Sequence, residues 1–350
     1  MTLIVHNEVG LLDTHLRFHY AHGVDHVLAI DDRSTDGSSE VLQAHARTGR
    51  LTVIERPPGE MFASQSRWAT SLARQAKTLC GADWVLNGDA DEFWWPLHGS
   101  LTDALGRVGP EYGRVLIPRS DFVLVDEEPR SATVAEELVV REVRSPVGLR
   151  VAHRGAADIA VSTGHHRVAR NAALDRLEWT ENGKKAKSME IAPSFPIRVF
   201  HYPVQSWASM VDTAREGTPY ALNRDPVLRI MRRTVHYEDL RTMVLASEPR
   251  PPQARQRLIE DLIREGEFVR DTRIQGFIAS GTPEAAKNAA EEREVAGLVM
   301  YALAHEDRKI RTRARRYQQQ LSDRRASRVP RLKEGLTRVR AGLTAARGSS

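Results

Sequence analysis

Short apolar runs alternate with helical patterns at the start of the chain, and this order constrains the fold more than any other feature. Residues 2–5, 26–30 and 51–54 are apolar runs of strand length. Apolar residues at helical spacing fill 12–20 and 38–48 between them. Strands that alternate with helices of this size indicate βαβ units. The sequence therefore predicts an α/β protein with a mostly parallel sheet flanked by helices.

Two carboxylates one residue apart follow a further predicted strand at 84–86. Asp89 and Asp91 are separated by Ala90, and alternate side chains of a strand share a face, so the two carboxylates are expected to point together. Carboxylate oxygens suit Mg²⁺ or Mn²⁺, and such an ion completes its shell with water and substrate phosphates. The pair predicts a divalent cation and a nucleoside diphosphate. A solvated turn is the alternative.

Further acidic residues stand where the first two predicted strands end. Glu8 follows the first strand, and Asp31 and Asp32 follow the second. Ligands of open α/β sheets bind outside the carboxyl ends of the strands, so we expect these acids to share one crevice with Asp89 and Asp91. A carboxylate accepts hydrogen bonds from the ring N–H of uracil or guanine and from ribose hydroxyls. We predict this role for Asp31, Asp32 and Asp89, and more weakly for Glu8.

Other polar residues near the predicted crevice have two interpretations. Arg67 lies near the start of a predicted helix, from which its guanidinium would reach a diphosphate, although a solvent-exposed arginine explains it equally well. Ser34, Thr35 and Asp36 either contact the ligand or cap the next helix. For at least one of these three, the capping role is the prediction.

Four segments, taken in order, resemble family 2 glycosyltransferases, and more narrowly the bacterial branch described as glycosyltransferase family 2-like. They are Val5-His6-Asn7-Glu8, Gly23-Val24-Asp25-His26, the run from Asp31 to Gly37, and Asp89-Ala90-Asp91-Glu92-Phe93. The resemblance covers about residues 1–220. It implies a Rossmann-like GT-A fold, a nucleotide-sugar donor, a divalent metal on the Asp-x-Asp motif, and usually inversion at the anomeric carbon.

The catalytic base is the least determined part of the predicted site. Many family members supply the base from a later Glu-Asp pair, and this sequence has no clear pair of that kind. Residues 115–122 are predicted to form a further strand, and Asp121 lies near its end, where the acceptor would approach the donor. Glu92 follows the Asp-x-Asp motif. Asp121 and Glu92 are therefore the two predicted bases.

Late histidines and several tryptophans complete the predicted site. His201 ends a strand-like apolar run, and relatives with the GT-A fold often bring a late histidine to the metal or diphosphate. We therefore predict His201 as the third metal ligand, in preference to His165 and His166. The aromatic rings that either stack on a sugar or belong to the core are Trp94, Trp95 and Trp179.

Charge divides the chain unevenly. The net charge is +5, but residues 306–350 contain 14 Lys and Arg against 4 Asp and Glu, so this tail carries +10 and residues 1–305 carry −5. The predicted organisation is a catalytic domain over 1–220, a helical extension over 221–305 and a basic tail, helical or partly disordered, over 306–350. Helical composition extends over 253–270 and 283–316. An apolar stripe in the second of these segments is predicted to pack on the catalytic domain or on a twin subunit.

The predicted location follows from the tail and from the single cysteine. Cys80 excludes an internal disulfide, and we find no signal peptide and no apolar stretch of membrane-spanning length, so a cytoplasmic protein is expected. The tail either contacts anionic lipid at the inner face of the cell membrane or is a solvated end. It contains one aromatic residue, Tyr317, and so lacks the interleaved rings that stack on bases. We expect no nucleic-acid partner.

The leading prediction is a metal-dependent glycosyltransferase that uses a UDP-sugar or GDP-sugar donor and Mn²⁺ or Mg²⁺. Its acceptor would be a glycan, a lipid-linked molecule or a cell-envelope component. One alternative is a nucleotidyl or phosphoryl transferase, which a Gly-rich phosphate loop with lysine would favour, and this sequence has none. The other alternative is a non-catalytic nucleotide-binding protein of the same fold, because a clear base is missing.

Overall fold

The computed structural model describes residues 1–58, 61–125, 135, 137–143, 149–165, 167–170, 180–181, 184–185, 197–217, 221–233, 235–247 and 250–282. These residues form two compact units. The first contains residues 1–119, the described part of 146–201 and residues 276–282; the second contains the described parts of 120–145 and 202–275. The predicted boundary at residue 220 stays a prediction. The helix predicted over 283–316 and the basic tail lie outside the described residues.

The strands of the described residues are short and the helices vary from six to twenty residues. The strands are β1 (Thr2–Val5), β2 (Val27–Asp31), β3 (Leu51–Val53), β4 (Trp84–Gly88), β5 (Glu92–Pro96), β6 (Arg114–Ile117), β7 (Arg119–Val123), β8 (Val140–Glu142), β9 (Arg150–Arg154), β10 (Ile159–Val161), β11 (Val168–Arg170), β12 (Thr180–Glu181), β13 (Lys184–Lys185), β14 (Ile197–His201) and β15 (Phe268–Arg270). The helices are α1 (Val9–Ala21), α2 (Ser38–Ala46), α3 (Met61–Cys80), α4 (Leu101–Gly106), α5 (Trp207–Glu216), α6 (Pro226–Met231), α7 (Tyr237–Leu245), α8 (Gln253–Arg264) and α9 (Arg273–Ser280). None of these helices is long and apolar enough to cross a membrane.

A six-stranded sheet forms the centre of the first unit, with the order β3-β2-β1-β4-β9-β6. The strands β3, β2, β1 and β4 run parallel, whereas β9 is antiparallel to both β4 and β6. Helices α1 and α2 connect the parallel strands. The predicted α/β class, with a mostly parallel sheet flanked by helices, is confirmed.

The apolar pattern of the sequence explains the position of β1 inside this sheet, where the strand is covered on both faces. Every residue of β1 is buried, and Val5, Leu12 and Leu16 of the same core cluster have no exposed surface. A continuous apolar run without alternation is what a strand buried on both sides requires. Gly23 and Gly81 follow α1 and α3 with φ of 93° and 66°, a left-handed backbone that favours glycine after the end of a helix.

A second strand pair in the first unit carries the segment after the Asp-x-Asp motif. Strands β5 and β14 pair antiparallel, with Glu92 opposite His201. The predicted strand that ends at His201 is thereby confirmed. This register brings a residue from the late part of the sequence beside the motif, because Glu92 directly follows Asp91.

Two secondary-structure predictions were wrong. The run expected as one strand over 115–122 is divided at Pro118 into β6 and β7, because proline has no N–H to donate to a ladder. The helix expected over 253–270 ends at Arg264, and Phe268–Arg270 is instead the strand β15, paired antiparallel with β8. Gly266 lies between them with φ of 73°, which ends the helical path.

The second unit combines helices α5 to α8 with the antiparallel strands β7, β8 and β15. Buried ion pairs stabilise it. Arg255 and Asp225 have no exposed side-chain surface, and Arg255 also donates to the carbonyl oxygen of Leu124 at 2.6 Å. Asp225 caps α6 by accepting from the N–H groups of Val227 and Leu228, each at 2.8 Å. A buried arginine satisfied in this way holds several segments of the unit together.

Candidate active site

The carboxyl ends of β2, β1 and β4 lie at one edge of the parallel sheet. Strand β1 lies between the other two, and adjacent strands of a sheet are about 4.8 Å apart, so β2 and β4 are roughly 10 Å apart. Asp31 ends β2 and Asp89 follows β4. The predicted convergence of the acidic residues on one edge of the sheet agrees with this topology, and the separation suits an elongated ligand.

Asp89 and Asp91 lie in a tight turn between β4 and β5, which differs from the predicted strand extension. The N–H of Glu92 donates to the carbonyl oxygen of Asp89 at 3.1 Å and closes the turn. Ala90 is buried and anchors it. Gly88 precedes the turn where a Cβ would approach the side chains of Met1 and Trp94 to 2.8 and 3.3 Å. The turn, and not strand alternation, therefore sets where the two carboxylates point.

Arg150, the first residue of β9, contacts the acidic turn from within the unit. Its Nη2 donates to Oδ2 of Asp89 at 2.9 Å, and its guanidinium also donates to Oε1 of Glu92 and to the carbonyl oxygen of Gly164. The Arg150 side chain is 4% exposed and the Glu92 side chain 0%. Although burial opposes its charge, the carboxylates of Glu92 and Asp89 raise the pKa of Arg150. Arg150 is therefore a permanent cation beside the motif.

Glu92 lies beneath the turn and does not face solvent. Burial raises the pKa of the Glu92 carboxyl, and the nearby guanidinium of Arg150 lowers it in part. A second arginine, Arg119, has its Nη1 3.8 Å from Oε1 of Glu92. This predicted base is thus enclosed by two arginines. Its role in catalysis stays a prediction, and its position does not present the carboxylate to an acceptor.

Asp91 and His201 form a carboxylate–imidazole pair across the β5–β14 register. Nε2 of His201 lies 3.3 Å from Oδ2 of Asp91, and the two side chains are 12% and 13% exposed. Carboxylate and imidazole together suit Mn²⁺, and Mg²⁺ or Mn²⁺ held by few protein groups takes further ligands from water and phosphate. Among the described residues, no group of three or more His, Cys, Asp or Glu side chains is placed to hold a metal ion. The donor set fits an open site completed by a ligand.

His165 lies on the far side of Asp89. Its Nδ1 is 3.6 Å from Oδ1 of Asp89, in a short 3₁₀ turn (Thr163–His165) where Gly164 and His165 have φ of 68° and 57°. Burial lowers the pKa of His165, so the ring is neutral near pH 7. His165 and His166 were the predicted alternatives to His201 as a metal ligand, and the 3.6 Å distance places His165 next to the motif. His166 lies outside the described residues.

The loops after β1 and β2 are joined by side-chain hydrogen bonds. Asn7 accepts from the N–H of Thr35 at 2.8 Å, and its own N–H donates to Oγ of Ser34 at 3.1 Å. Asp36 accepts from the N–H groups of Val9 and Ser38, each at 3.0 Å. These contacts hold the loops at the edge of the sheet in one arrangement. The N-cap of α2 is Gly37, without a side-chain hydrogen bond, so the prediction that Ser34, Thr35 or Asp36 is the N-cap of this helix was wrong.

Asp31 and Asp32 both have protein partners. Asp31 accepts from the N–H of Ser34 at 3.0 Å and from the hydroxyl of Ser39; although burial raises the pKa of Asp31, these hydrogen bonds lower it below its ordinary value. Asp32 is buried and accepts from Nε of Arg56. The Arg56 guanidinium lies 5.0 Å from the ring centroid of Trp68. Asp31 is therefore ionised at neutral pH, and Asp32 is fixed by an arginine that the sequence did not indicate.

The histidines of α1 connect this helix to β5, behind the motif. Nδ1 of His19 donates to the carbonyl oxygen of His15 at 2.7 Å, so Nε2 is the acceptor for the N–H of Trp94 at 3.2 Å. Burial lowers the pKa of His19 well below its ordinary value and keeps the ring neutral. Because His19 is neutral and fully bonded, it fixes β5 against α1.

The remaining predicted residues are dispersed. Glu8 precedes α1, and its N–H donates to Oγ of Ser38 at 2.9 Å. Arg67 is exposed on α3. Asp121 belongs to the second unit, where it is buried and accepts from Nη1 and Nη2 of Arg229 at 3.2 and 3.3 Å. The predicted nucleotide-sugar contacts of Glu8 and Arg67, and the predicted role of Asp121 as a base, stay predictions.

The tryptophans beside the motif do not stack on a ligand. Trp94 and Trp95 are fully buried, so the sugar-stacking interpretation was wrong for both and the core interpretation is correct. The rings lie on β5, which is covered on both faces. Trp179 lies outside the described residues.

Arg150 and Arg56 are the functional candidates that sequence reasoning missed. Both side chains contact acids of the motifs, but their partners are distant in sequence: Arg150 is 61 positions from Asp89, and Arg56 is 24 positions from Asp32. The strand β9 has the sequence Arg-Val-Ala-His-Arg, and its mixture of polar and apolar residues gives no sequence signal that singles out Arg150.

No protein-family model matches the chain, and no curated protein matches its sequence. Solved structures give weak likenesses. The S. aureus TarS 1-349 structure in complex with UDP has a TM-score of 0.35 and 14% identity over 87% of this chain and 78% of that chain. The mannosyltransferase PcManGT from Pyrobaculum calidifontis, in complex with GDP-Man and Mn²⁺, has a TM-score of 0.30 and 15% identity over 89% of this chain and 81% of that chain. TM-scores of this size do not establish a shared fold family, so the function is argued from the site itself.

Proposed function

We propose that this chain is a glycosyltransferase of the family 2 type, with a GT-A arrangement, that moves a sugar from a nucleoside-diphosphate donor to an acceptor hydroxyl. The observation that carries the proposal is the partly exposed pair of Asp91 and His201 beside Asp89, at the sheet edge that also holds Asp31 and Asp32. A cation ligand set and a nucleoside acceptor set roughly 10 Å apart match the two ends of such a donor.

Asp91 and His201 would hold Mn²⁺ or Mg²⁺ together with water and donor phosphates, and Asp89 of the same motif is the predicted third ligand. When bound, the cation would neutralise the charge that builds on the departing diphosphate oxygens. Arg150 contributes a second, permanent positive charge beside Asp89, at a distance of 2.9 Å between Nη2 and Oδ2. Burial of that guanidinium strengthens its electrostatic effect because the local dielectric constant is low.

Asp31 and Asp32 would bind the nucleoside. Arg56 donates to Oδ1 of Asp32 and holds the carboxylate in one orientation. Hydrogen bonds from Ser34 and Ser39 keep Asp31 ionised and acceptor-only. A uracil or guanine ring N–H, or the ribose hydroxyls, supplies the donors that these carboxylates accept, so UDP-sugars and GDP-sugars are the proposed donor class.

A non-catalytic nucleotide-binding protein is the second candidate, because both predicted bases are buried and ion-paired. Glu92 is enclosed by Arg150, and Asp121 is bound by Arg229 in the second unit. A carboxylate that accepts from a guanidinium is a weaker base than a free one. A protein with this nucleotide-sugar site but without a catalytic base would bind the donor and would not transfer its sugar.

Differential scanning fluorimetry with UDP, GDP, CMP and dTDP, each with and without Mn²⁺, tests the proposal first. A ligand that binds the native state raises the Tm. We expect a metal-dependent rise for UDP or GDP. No response to any nucleotide, or an equal response to all of them, would contradict the proposal.

Matched variants then separate the two ends of the site. Asp91→Asn is expected to remove the Mn²⁺-dependent part of the Tm rise, whereas Asp32→Asn is expected to reduce the rise with and without Mn²⁺. Release of UDP or GDP from a donor sugar, lost in Asp91→Asn, supports the transferase. Tight nucleotide binding without release supports the non-catalytic candidate.

The proposed acceptor and the proposed location of the protein are based on the sequence alone. A glycan, lipid-linked or cell-envelope acceptor would reach the protein at the inner face of the membrane, where the basic tail over 306–350 would contact anionic lipid. Co-sedimentation of the full chain with vesicles of neutral lipid, and with vesicles that contain anionic lipid, tests this expectation. Binding to neither vesicle would contradict it.

A further inference from the structure

The guanidinium of Arg150 contacts three groups around the acidic turn: the carboxylates of Asp89 and Glu92 and the carbonyl oxygen of Gly164. We propose that Arg150 is a positioning residue that holds Asp89 in the orientation needed to bind the donor and its metal. This inference rests on the proposed function. It assigns a role in that site to a residue on β9, a strand that the sequence motifs do not include.

The geometry of the guanidinium carries the first step. A guanidinium is a rigid planar fork, so its three nitrogens fix the relative positions of the groups they contact. Here these groups are Oδ2 of Asp89, Oε1 of Glu92 and the carbonyl oxygen of Gly164. The fork therefore ties the turn after β4 to the short 3₁₀ turn that carries His165. A lysine at position 150 has a single ammonium nitrogen, and this nitrogen would contact fewer of the three groups.

The exposure of the partners carries the second step. Glu92 is fully buried, whereas 29% of the Asp89 side chain is exposed. Arg150, which is itself buried, thus contacts Asp89, the partly exposed acid of this pair. Neutralisation of Glu92 alone does not explain the 2.9 Å contact between Arg150 and Asp89. A second arginine, Arg119, also lies 3.8 Å from Glu92 and contributes to that neutralisation.

The two oxygens of Asp89 are thereby distinguished. Oδ2 accepts from Arg150, and Oδ1 lies 3.6 Å from Nδ1 of His165. Rotation of the carboxylate would break the contact between Oδ2 and Arg150. Arg150 therefore leaves Oδ1 as the oxygen that faces a ligand, with the His165 ring beside it.

The experiment compares Arg150→Met with the double variant Arg150→Met/Glu92→Leu. The single variant leaves Glu92 with one fewer cation in a buried position and is expected to lower the Tm. The double variant removes both buried charges and is expected to recover stability, because replacement of a buried ion pair by apolar residues of similar size is often neutral. Asp89, Asp91 and His201 are unchanged in both.

Binding is measured with Mn²⁺ alone, by electron paramagnetic resonance, and with UDP and GDP in the presence of Mn²⁺. If Arg150 positions Asp89, both variants bind these probes at least about tenfold more weakly than the wild type, which is about 1.4 kcal/mol. The matched control is Arg154→Met at the other end of β9, where the guanidinium donates to the carbonyl oxygen of Val108 and lies over Trp84, away from the acids. This control is expected to bind as the wild type does.

Wild-type affinity in the folded double variant would overturn the inference, because Arg150 would then serve only to neutralise Glu92. If the double variant does not fold, Arg150→Lys decides the question. This variant keeps the charge and is expected to fold and to bind at least about tenfold more weakly; wild-type affinity would again overturn the inference. A wild-type chain that binds neither UDP nor GDP would overturn the proposed function and this inference together, whereas a wild type that binds and variants that equal it would overturn this inference alone.

Discussion

Nε2 of His201 lies 3.3 Å from Oδ2 of Asp91, although the two residues are far apart in the sequence. The antiparallel register of β5 and β14, in which Glu92 faces His201, creates this contact. An aspartate and an imidazole that are both partly exposed provide one oxygen and one nitrogen ligand in the same place. This pair is the part of the proposed site that depends most directly on the tertiary structure.

His201→Ala should weaken Mn²⁺ binding by at least about tenfold, because the site loses its nitrogen ligand and keeps only carboxylates. Titration of the protein with Mn²⁺, followed by electron paramagnetic resonance, measures the change. His26→Ala is the control, since the His26 ring lies 2.9 Å from Oγ1 of Thr52 and precedes β2 at the amino end of the strands. Unchanged Mn²⁺ affinity in His201→Ala would remove His201 from the proposed ligands.

Asp121→Ala should lower the free energy of unfolding by about 3 kcal/mol, because it removes one of the two carboxylates that pair with the mostly buried guanidinium of Arg229. Denaturation by guanidinium chloride measures this loss. Asp212→Ala is the control: the pair of Asp212 and Arg215 is at 2.6 Å, but both side chains are more than half exposed. It should cost less than about 1 kcal/mol. Equal losses in the two variants would show that Asp121 is not a structural ion-pair partner.

The pH dependence of stability should include a contribution from His153, a buried residue of β9. Burial lowers the pKa of His153 from 6.5 to about 4. Below the unfolded pKa of 6.5, the unfolded chain takes up a proton that the folded chain refuses until about pH 4, so the free energy of unfolding falls as the pH decreases through this window. The contribution is about 3 kcal/mol, since one pKa unit corresponds to about 1.4 kcal/mol.

Unfolding of the wild type and of His153→Leu at about pH 7 and about pH 5 tests this contribution, because the variant should lose less stability between the two conditions. A steeper dependence in His153→Leu than in the wild type would contradict the assigned direction of the pKa shift.

Gly155→Ala should destabilise the first unit by about 3 kcal/mol, because the new Cβ would lie 2.0 Å from the carbonyl oxygen of Ala82. A backbone oxygen cannot move aside as a flexible side chain can. Gly106→Ala, at the end of α4, meets no atom within 4 Å and should be neutral or stabilising by up to about 1 kcal/mol. Thermal unfolding of both variants measures the difference, and a tolerated alanine at 155 would contradict this close approach.

The α/β class, the strand β1 and the ends of α1 and α3 were predictable from the sequence, because they depend on neighbouring residues. Apolar runs, helical spacing and the glycines at 23 and 81 are local signals. The acidic residues at the carboxyl ends of β2 and β4 were predictable for a related reason. Parallel strands that follow one another through helices place their ends at the same edge of a sheet.

The tertiary structure alone decided which side chains contact the motif and which are enclosed in the core. Arg150 meets Glu92 and Asp89 across 58 and 61 positions of the sequence, and Trp94 and Trp95 are buried where the sequence permitted a ligand surface. The turn that directs Asp89 and Asp91 likewise depends on contacts with Trp94 and Met1 around Gly88. The physical reason is that backbone periodicity is determined by neighbours along the chain, whereas an ion pair and a buried ring are determined by whatever strand the fold places beside them.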